Sequence, residues 1–112
     1  MTANVGGPRL HQSPKNKPFS VAVVGAGQWG QNLIRNLVAD PRSKLVGVCD
    51  LSAQAKERAA VDSPDVLLFT DIEEMLRQVR PYAVVIATPP GLHFAHAKFC
   101  LEGGVHVLVE KP

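Results

Sequence analysis

The sequence lacks an apolar run long enough to cross a membrane. A membrane-spanning helix takes about 20 consecutive apolar residues, and no stretch of the 112 residues approaches that length. The first residues also lack the apolar segment of a signal peptide. We therefore expect a cytoplasmic protein with no membrane partner.

Cysteine is scarce, and it does not occur at metal-binding spacings. Cys49 and Cys100 lie far apart, each inside an apolar segment, which favours two reduced and buried thiols. Because no Cys/His spacing is typical of a zinc site, we predict no metal. The four histidines, which form no recognisable ligand set, are His11, His93, His96 and His106.

Charge of one sign is also lacking outside the first residues. The formal net charge of +2 reflects Arg9, Lys15 and Lys17, while residues 19–112 hold nine basic and ten acidic side chains. Nucleic acid binding needs a clustered basic face, so we do not expect it. Residues 1–18 are rich in Gly, Pro, Asn and Lys without a period, which predicts a flexible basic tail.

Short apolar runs alternate with segments of helical periodicity from Phe19 onward. The order is βαβαβαβαβ, and strands that are apolar on both faces predict a parallel sheet covered by helices on both sides. Right-handed crossovers then favour a Rossmann-type doubly wound α/β fold with strand order 3-2-1-4-5. The predicted strands are Phe19–Val24, Lys44–Cys49, Val66–Phe69, Tyr82–Ala87 and Val105–Val109.

A glycine-rich turn follows the first strand. Gly25-Ala26-Gly27-Gln28-Trp29-Gly30 matches G-x-G-x-x-G. The first glycine permits a tight turn, the second lets a pyrophosphate approach the backbone, and the third lets helix and strand pack closely. The turn therefore predicts a dinucleotide site. We count Gln28 and Trp29 with it, although packing of Trp29 against the sheet edge or against a neighbour missing from this chain is favoured over cofactor contact.

An acidic residue follows the second strand. Asp50 lies 20 residues after Gly30, where a carboxylate can accept hydrogen bonds from the ribose hydroxyls of the adenosine half. Since it would repel a 2′-phosphate, we expect NAD, with NADP possible. The alternative is a solvated acid at the end of a strand.

Two further segments follow strands four and five. Ligands of such sheets bind beyond the carboxyl ends of the strands, where strand order reverses, so Thr88, Pro89 and His93 should border the nicotinamide half. His93 could instead be a histidine satisfied at a helix start, and we expect His96 and His106 to be structural or solvent-facing. Glu110 and Lys111 would reach the same cleft, where an ammonium can stabilise a developing oxyanion. Spacing alone favours a surface lysine.

The segments VAVVGAGQWGQNLIRNL, VGVCDLS and VVIATPPGLHFAHAKFCLEGGVHVLVEKP together resemble the N-terminal half of the Gfo/Idh/MocA family of oxidoreductases. The resemblance runs from about residue 19 to the end. It implies that the three glycines hold the pyrophosphate, Asp50 the adenosine ribose and Glu110 the nicotinamide ribose. It also implies that Lys111, before a cis Pro112, is the lysine of the catalytic site. Gly91 departs from the polar residue that many members carry.

The resemblance also implies a second domain, which would carry the substrate pocket, a histidine acid/base and the surface of a homo-oligomer. Residues 19–112 would then be an incomplete NAD(P)-binding domain, cut after strand five, that binds cofactor but does not turn over a sugar or cyclitol. The alternatives are a non-catalytic dinucleotide-binding module and an S-adenosylmethionine-dependent methyltransferase. The third glycine and the Glu-Lys-Pro end argue against the methyltransferase.

Overall fold

The computed structural model describes residues 17–109. The predicted tail therefore lies almost wholly outside the described residues, as do Glu110, Lys111 and Pro112 with its predicted cis bond. Strands and helices alternate throughout the described part of the chain, as predicted. They are β1 Phe19–Val24, α1 Gln28–Ala39, β2 Ser43–Cys49, α2 Ala53–Asp62, β3 Leu67–Phe69, α3 Ile72–Val79, β4 Ala83–Ile86, α4 Pro90–Glu102 and β5 His106–Val109.

The five strands form one parallel sheet in the order β3-β2-β1-β4-β5, which confirms the predicted Rossmann-type topology. The central strand β1 pairs with β2 on one side and with β4 on the other. Strand order therefore reverses between β1 and β4. A crevice opens at the carboxyl ends of these two strands, and ligands of open α/β sheets bind there.

Local sequence signals determine where the helices begin and end. Ser52 caps α2 by accepting a hydrogen bond from the Ala55 N–H, and Asp71 caps α3 through the Glu73 N–H; both oxygens satisfy amides that have no partner within the helix. Helix α4 begins at Pro90, because proline is well tolerated at the first helical position.

The hydrophobic core has two halves, one on each face of the sheet. Alternate residues of β1 point to opposite sides: Val21 and Val23 join the cluster that holds Ile34 of α1, whereas Ala22 and Val24 join the cluster that holds Met75 of α3. The apolar character of both faces of β1 thus follows from burial under helices on both sides.

Both cysteines are buried free thiols, as predicted. The pKa of both thiols is raised to about 11, mainly because the side chains are buried. His106 is buried too, and neither of its ring nitrogens has a hydrogen-bond partner among the described residues. Its ring is tilted by 35° against that of Tyr82, with centroids 4.6 Å apart, at the amino ends of the strands, opposite the crevice at their carboxyl ends. The structural role expected for His106 fits this position, and the solvent-facing alternative is wrong.

Candidate functional site

The first glycine of the turn is required by its backbone conformation and by its neighbours. Gly25 has a φ of 100°, which side chains other than glycine rarely adopt. A Cβ at this position would also lie 2.8 Å from the carbonyl carbon of Ala87 and 2.8 Å from the nitrogen of Thr88. The turn after β1 therefore lies directly against the segment after β4, which closes the inner end of the crevice.

The third glycine lets the first helix pack against the turn. A Cβ on Gly30 would clash with the carbonyl oxygen of Gly25, so any side chain there would push α1 away. This is the close approach of helix and strand that the sequence motif predicts. Gly25 and Gly30 are thus glycines for reasons internal to the fold.

The second glycine is different, because nothing in the fold requires it. Apart from Gly27 and its two chain neighbours, no atom of the described residues lies within 4 Å of a Cβ placed on Gly27, and its φ of −72° and ψ of −161° are open to any residue. Gly27 is the N-cap of α1 and supplies no side-chain cap. The first N–H groups of the helix therefore remain available to an anion, and Gly27 itself lines the crevice.

Asp50 has a structural contact that the sequence did not reveal. Its Oδ2 accepts a hydrogen bond from the Ala26 N–H at 2.6 Å, and its Oδ1 accepts one from the Ser52 N–H at 2.7 Å. The carboxylate therefore ties the glycine turn to the start of α2. Each carboxylate oxygen has a second lone pair, so Asp50 can still accept hydrogen bonds from a ligand.

The crevice consists of two adjoining pockets. The turn pocket, of about 420 Å³, brings together most residues that the sequence predicted, and the neighbouring outer pocket has about 370 Å³. Both volumes lie in the range of small-molecule sites. Gly25, Asp50, Thr88 and Pro89 line both pockets. The turn pocket adds Gly27, Gln28, Trp29, Pro90 and His93, and the outer pocket adds Leu51, Thr70, Ile72, Leu92 and His96.

Trp29 and His96 both line the crevice. Trp29 is 54% exposed and lines the turn pocket, a position that suits contact with a cofactor as well as packing against a neighbour outside this chain. His96, expected to be structural or solvent-facing, lines the outer pocket, and its Nδ1 lies 3.1 Å from the Thr88 hydroxyl. Burial, and then the charge of His93, lowers its pKa below the usual 6.5. Its position on α4, one turn after His93, was the available signal.

The described residues hold no group of three or more His, Cys, Asp and Glu side chains arranged to bind a metal ion. No helix within residues 17–109 is both long and apolar enough to span a membrane. Glu110 and Lys111, which were predicted to complete the crevice, follow β5 directly and lie outside the described residues.

A family model described as an oxidoreductase family with an NAD-binding Rossmann fold, Gfo/Idh/MocA, matches residues 19–112. The chain belongs to this family. The Gfo/Idh/MocA assignment agrees with the strand order and the glycine turn, and it leaves the methyltransferase alternative without support.

Similar proteins include dehydrogenases of sugars and cyclitols. D-glucoside 3-dehydrogenase of Escherichia coli is 31% identical over 98 residues, covering 87% of this chain and 28% of that protein. Scyllo-inositol dehydrogenase of Lactobacillus casei, solved with NAD(H) and scyllo-inositol, superposes with a TM-score of 0.78 at 26% identity, covering 86% of this chain and 28% of that one.

A third similar protein is the WlbA dehydrogenase of Bordetella pertussis, solved with NADH and UDP-GlcNAcA. It superposes with a TM-score of 0.77 at 32% identity, covering 85% of this chain and 29% of that one. The chain thus spans less than a third of the length of these relatives.

Proposed function

We propose that this chain is the cofactor-binding part of an NAD-dependent dehydrogenase that acts on a sugar, a cyclitol or a related alcohol. The observation that carries the proposal is the open space at Gly27. The turn has a glycine where the fold needs none, and that glycine lines a pocket next to uncapped helix N–H groups. A close-lying anion such as a pyrophosphate accounts for that glycine.

The residues present fit the dinucleotide. The pyrophosphate would lie at Gly27 and the start of α1. The adenosine ribose would donate hydrogen bonds to Asp50, and the adenine would enter the largely apolar outer pocket beside Leu51 and Ile72. Because the Asp50 carboxylate would lie close to a 2′-phosphate, charge repulsion favours NAD over NADP.

The nicotinamide would supply a hydride acceptor when bound. The chain would provide Thr88, Pro89 and His93 along the nicotinamide side and Glu110 near its ribose. Lys111 would donate a hydrogen bond to the substrate oxygen that loses its proton, which stabilises negative charge as it develops there. This chain covers only 28% of the length of two of its relatives, so groups that bind the substrate would come from outside these 112 residues. The 112 residues by themselves would bind cofactor without turnover. The complete protein would form a homo-oligomer.

Titration of the purified chain with NAD, NADP and S-adenosylmethionine tests the cofactor assignment. Trp29 is the one tryptophan of the sequence, and it lines the turn pocket, so its fluorescence reports binding there. We expect the lowest Kd for NAD, and Trp29→Phe should abolish the signal without abolishing binding measured by calorimetry. Tighter binding of S-adenosylmethionine than of either dinucleotide would contradict the proposal.

Activity of the complete protein separates an enzyme from a non-catalytic module. We expect NAD reduction with at least one member of a panel of sugars, sugar nucleotides and cyclitols, because the similar proteins described above are dehydrogenases of such alcohols. NAD binding without turnover on any member of the panel would favour the non-catalytic dinucleotide-binding module.

A further inference from the structure

Gln31 is a buried polar residue that the proposed cofactor site does not yet explain. It follows the third glycine, lies in the first turn of α1 and is 7% exposed. Its side-chain Nε2 donates two hydrogen bonds, one to the Ala26 carbonyl oxygen at 2.8 Å and one to the Ala55 carbonyl oxygen at 3.0 Å. Both protons of the amide are therefore used, and both acceptors belong to buried residues.

These two bonds join three separate parts of the site. Ala26 belongs to the glycine turn, Ala55 to the first turn of α2, and Gln31 to α1. The Ala26 N–H meanwhile donates to the Asp50 carboxylate. The backbone of Ala26 is thus held from both sides, by Asp50 at its N–H and by Gln31 at its carbonyl.

These hydrogen bonds fix the orientation of the Ala26 peptide groups within the glycine turn. With the Ala26 carbonyl drawn inward to Gln31, a partial negative charge is kept away from the crevice, and the following N–H groups at the start of α1 remain directed to it. A carbonyl that rotated outward would oppose an anion instead. Preorganised donors lose little free energy to reordering when a ligand binds.

We propose that Gln31 is a positioning residue for the pyrophosphate: it holds the Ala26 carbonyl inward and ties the glycine turn to α2. This inference rests on the proposed function, because it assumes that the turn binds a dinucleotide. Gln31 itself touches no ligand in this scheme. Its effect should therefore depend on whether the ligand contains a pyrophosphate.

The test compares two ligands in the full chain, with and without the Gln31 amide. Gln31→Met has nearly the same shape but no donors. We expect this variant, which loses the hydrogen bonds of the Gln31 amide, to raise the Kd for NAD about tenfold, a change equal to the free energy of about one hydrogen bond. The Kd for adenosine, which has no phosphate, should rise less than about threefold. Gln78→Met is the matched control, since the Gln78 amide is exposed and bonds only to Glu74; both Kd values should stay unchanged.

Folding is monitored in the same samples by thermal unfolding. If Gln31→Met does not fold, Gln31→Asn retains an amide that is one methylene too short to reach both carbonyls, and the same NAD-selective loss is expected. A folded Gln31 variant that binds NAD as the wild type does, or that loses NAD and adenosine affinity by equal factors, refutes the positioning role. Failure of the wild type to bind NAD would instead refute the proposed function.

Discussion

Gly27→Ala separates the demands of the ligand from those of the fold. The added methyl group would enter open space, since no atom of the described residues beyond the two chain neighbours lies within 4 Å of the new Cβ, and the backbone there is accessible to alanine. Replacing glycine at an N-cap by alanine costs at most about 1 kcal/mol. The lower entropy of the unfolded chain offsets about 0.4–1 kcal/mol of that cost. We therefore expect the free energy of unfolding to change by less than about 1 kcal/mol.

The variant should lose much more free energy of cofactor binding than free energy of unfolding. The methyl group would occupy the space through which a pyrophosphate reaches the helix N–H groups, and each lost hydrogen bond to a charged group costs about 1.5–3 kcal/mol. The Kd for NAD should therefore rise by at least about tenfold, while the Kd for adenosine stays nearly constant. Calorimetry gives both constants, and denaturant unfolding gives the stability.

Two control variants make the result interpretable. Gly30→Ala should prevent folding or lower stability by several kcal/mol, because its Cβ would clash with the Gly25 carbonyl oxygen. Gly91→Ala adds a methyl group to another open position, in the first turn of α4, and should leave NAD binding intact. If Gly27→Ala binds NAD like the wild type, or unfolds like Gly30→Ala, the assignment of the open space to a ligand is wrong.

Four further predictions concern charge and thiols. Asp50→Ala should weaken the binding of NAD more than that of NADP, because the like charge near the 2′-phosphate is removed. The ratio of the two Kd values, measured by calorimetry, should shift against NAD by at least about tenfold. Equal losses of affinity for both cofactors would leave Asp50 only its backbone contacts. Because the pKa of His96 is lowered in the folded state, the folded protein binds fewer protons than the unfolded chain. The contribution of His96 to the free energy of unfolding is therefore present above about pH 6.5 and is lost as the pH falls through the pKa of His96 in the folded state. His93→Gln should raise the pKa of His96 part of the way, measured by NMR, and no change would exclude the contribution of His93. Because burial raises the pKa of Cys49 and Cys100 to about 11, a thiol reagent at about pH 8 should modify neither until the chain unfolds; rapid labelling of the folded chain would contradict this burial.

The strand order and most element boundaries could be predicted from the sequence. Runs such as Phe19–Val24 are apolar on both faces, which only a sheet covered on both sides accommodates, and the handedness of crossover connections leaves few orders. Caps such as Ser52 and Asp71 are local signals that need no knowledge of the fold. The start of α4 at Pro90 is less predictable, because proline can equally well end a loop or begin a helix.

The contacts of the site were less predictable. Gln31 and His96 carry no motif of their own, and each is defined by a partner on another element: the carbonyls of Ala26 and Ala55 in one case, and the hydroxyl of Thr88 in the other. The motif indicated Asp50 as a ligand-binding residue, but its bond to the turn amide joins residues 24 positions apart.

The sequence by itself determined the parallel sheet, its order and the place of the glycine turn, because periodicity, glycine spacing and capping act over neighbouring residues. Only the tertiary structure decided why each glycine is present. Gly25 and Gly30 are required by protein atoms that lie against them, while Gly27 faces open space. The three glycines of one motif thus differ in whether the fold requires them, since distances between segments that are remote in the chain are set by packing and not by local sequence.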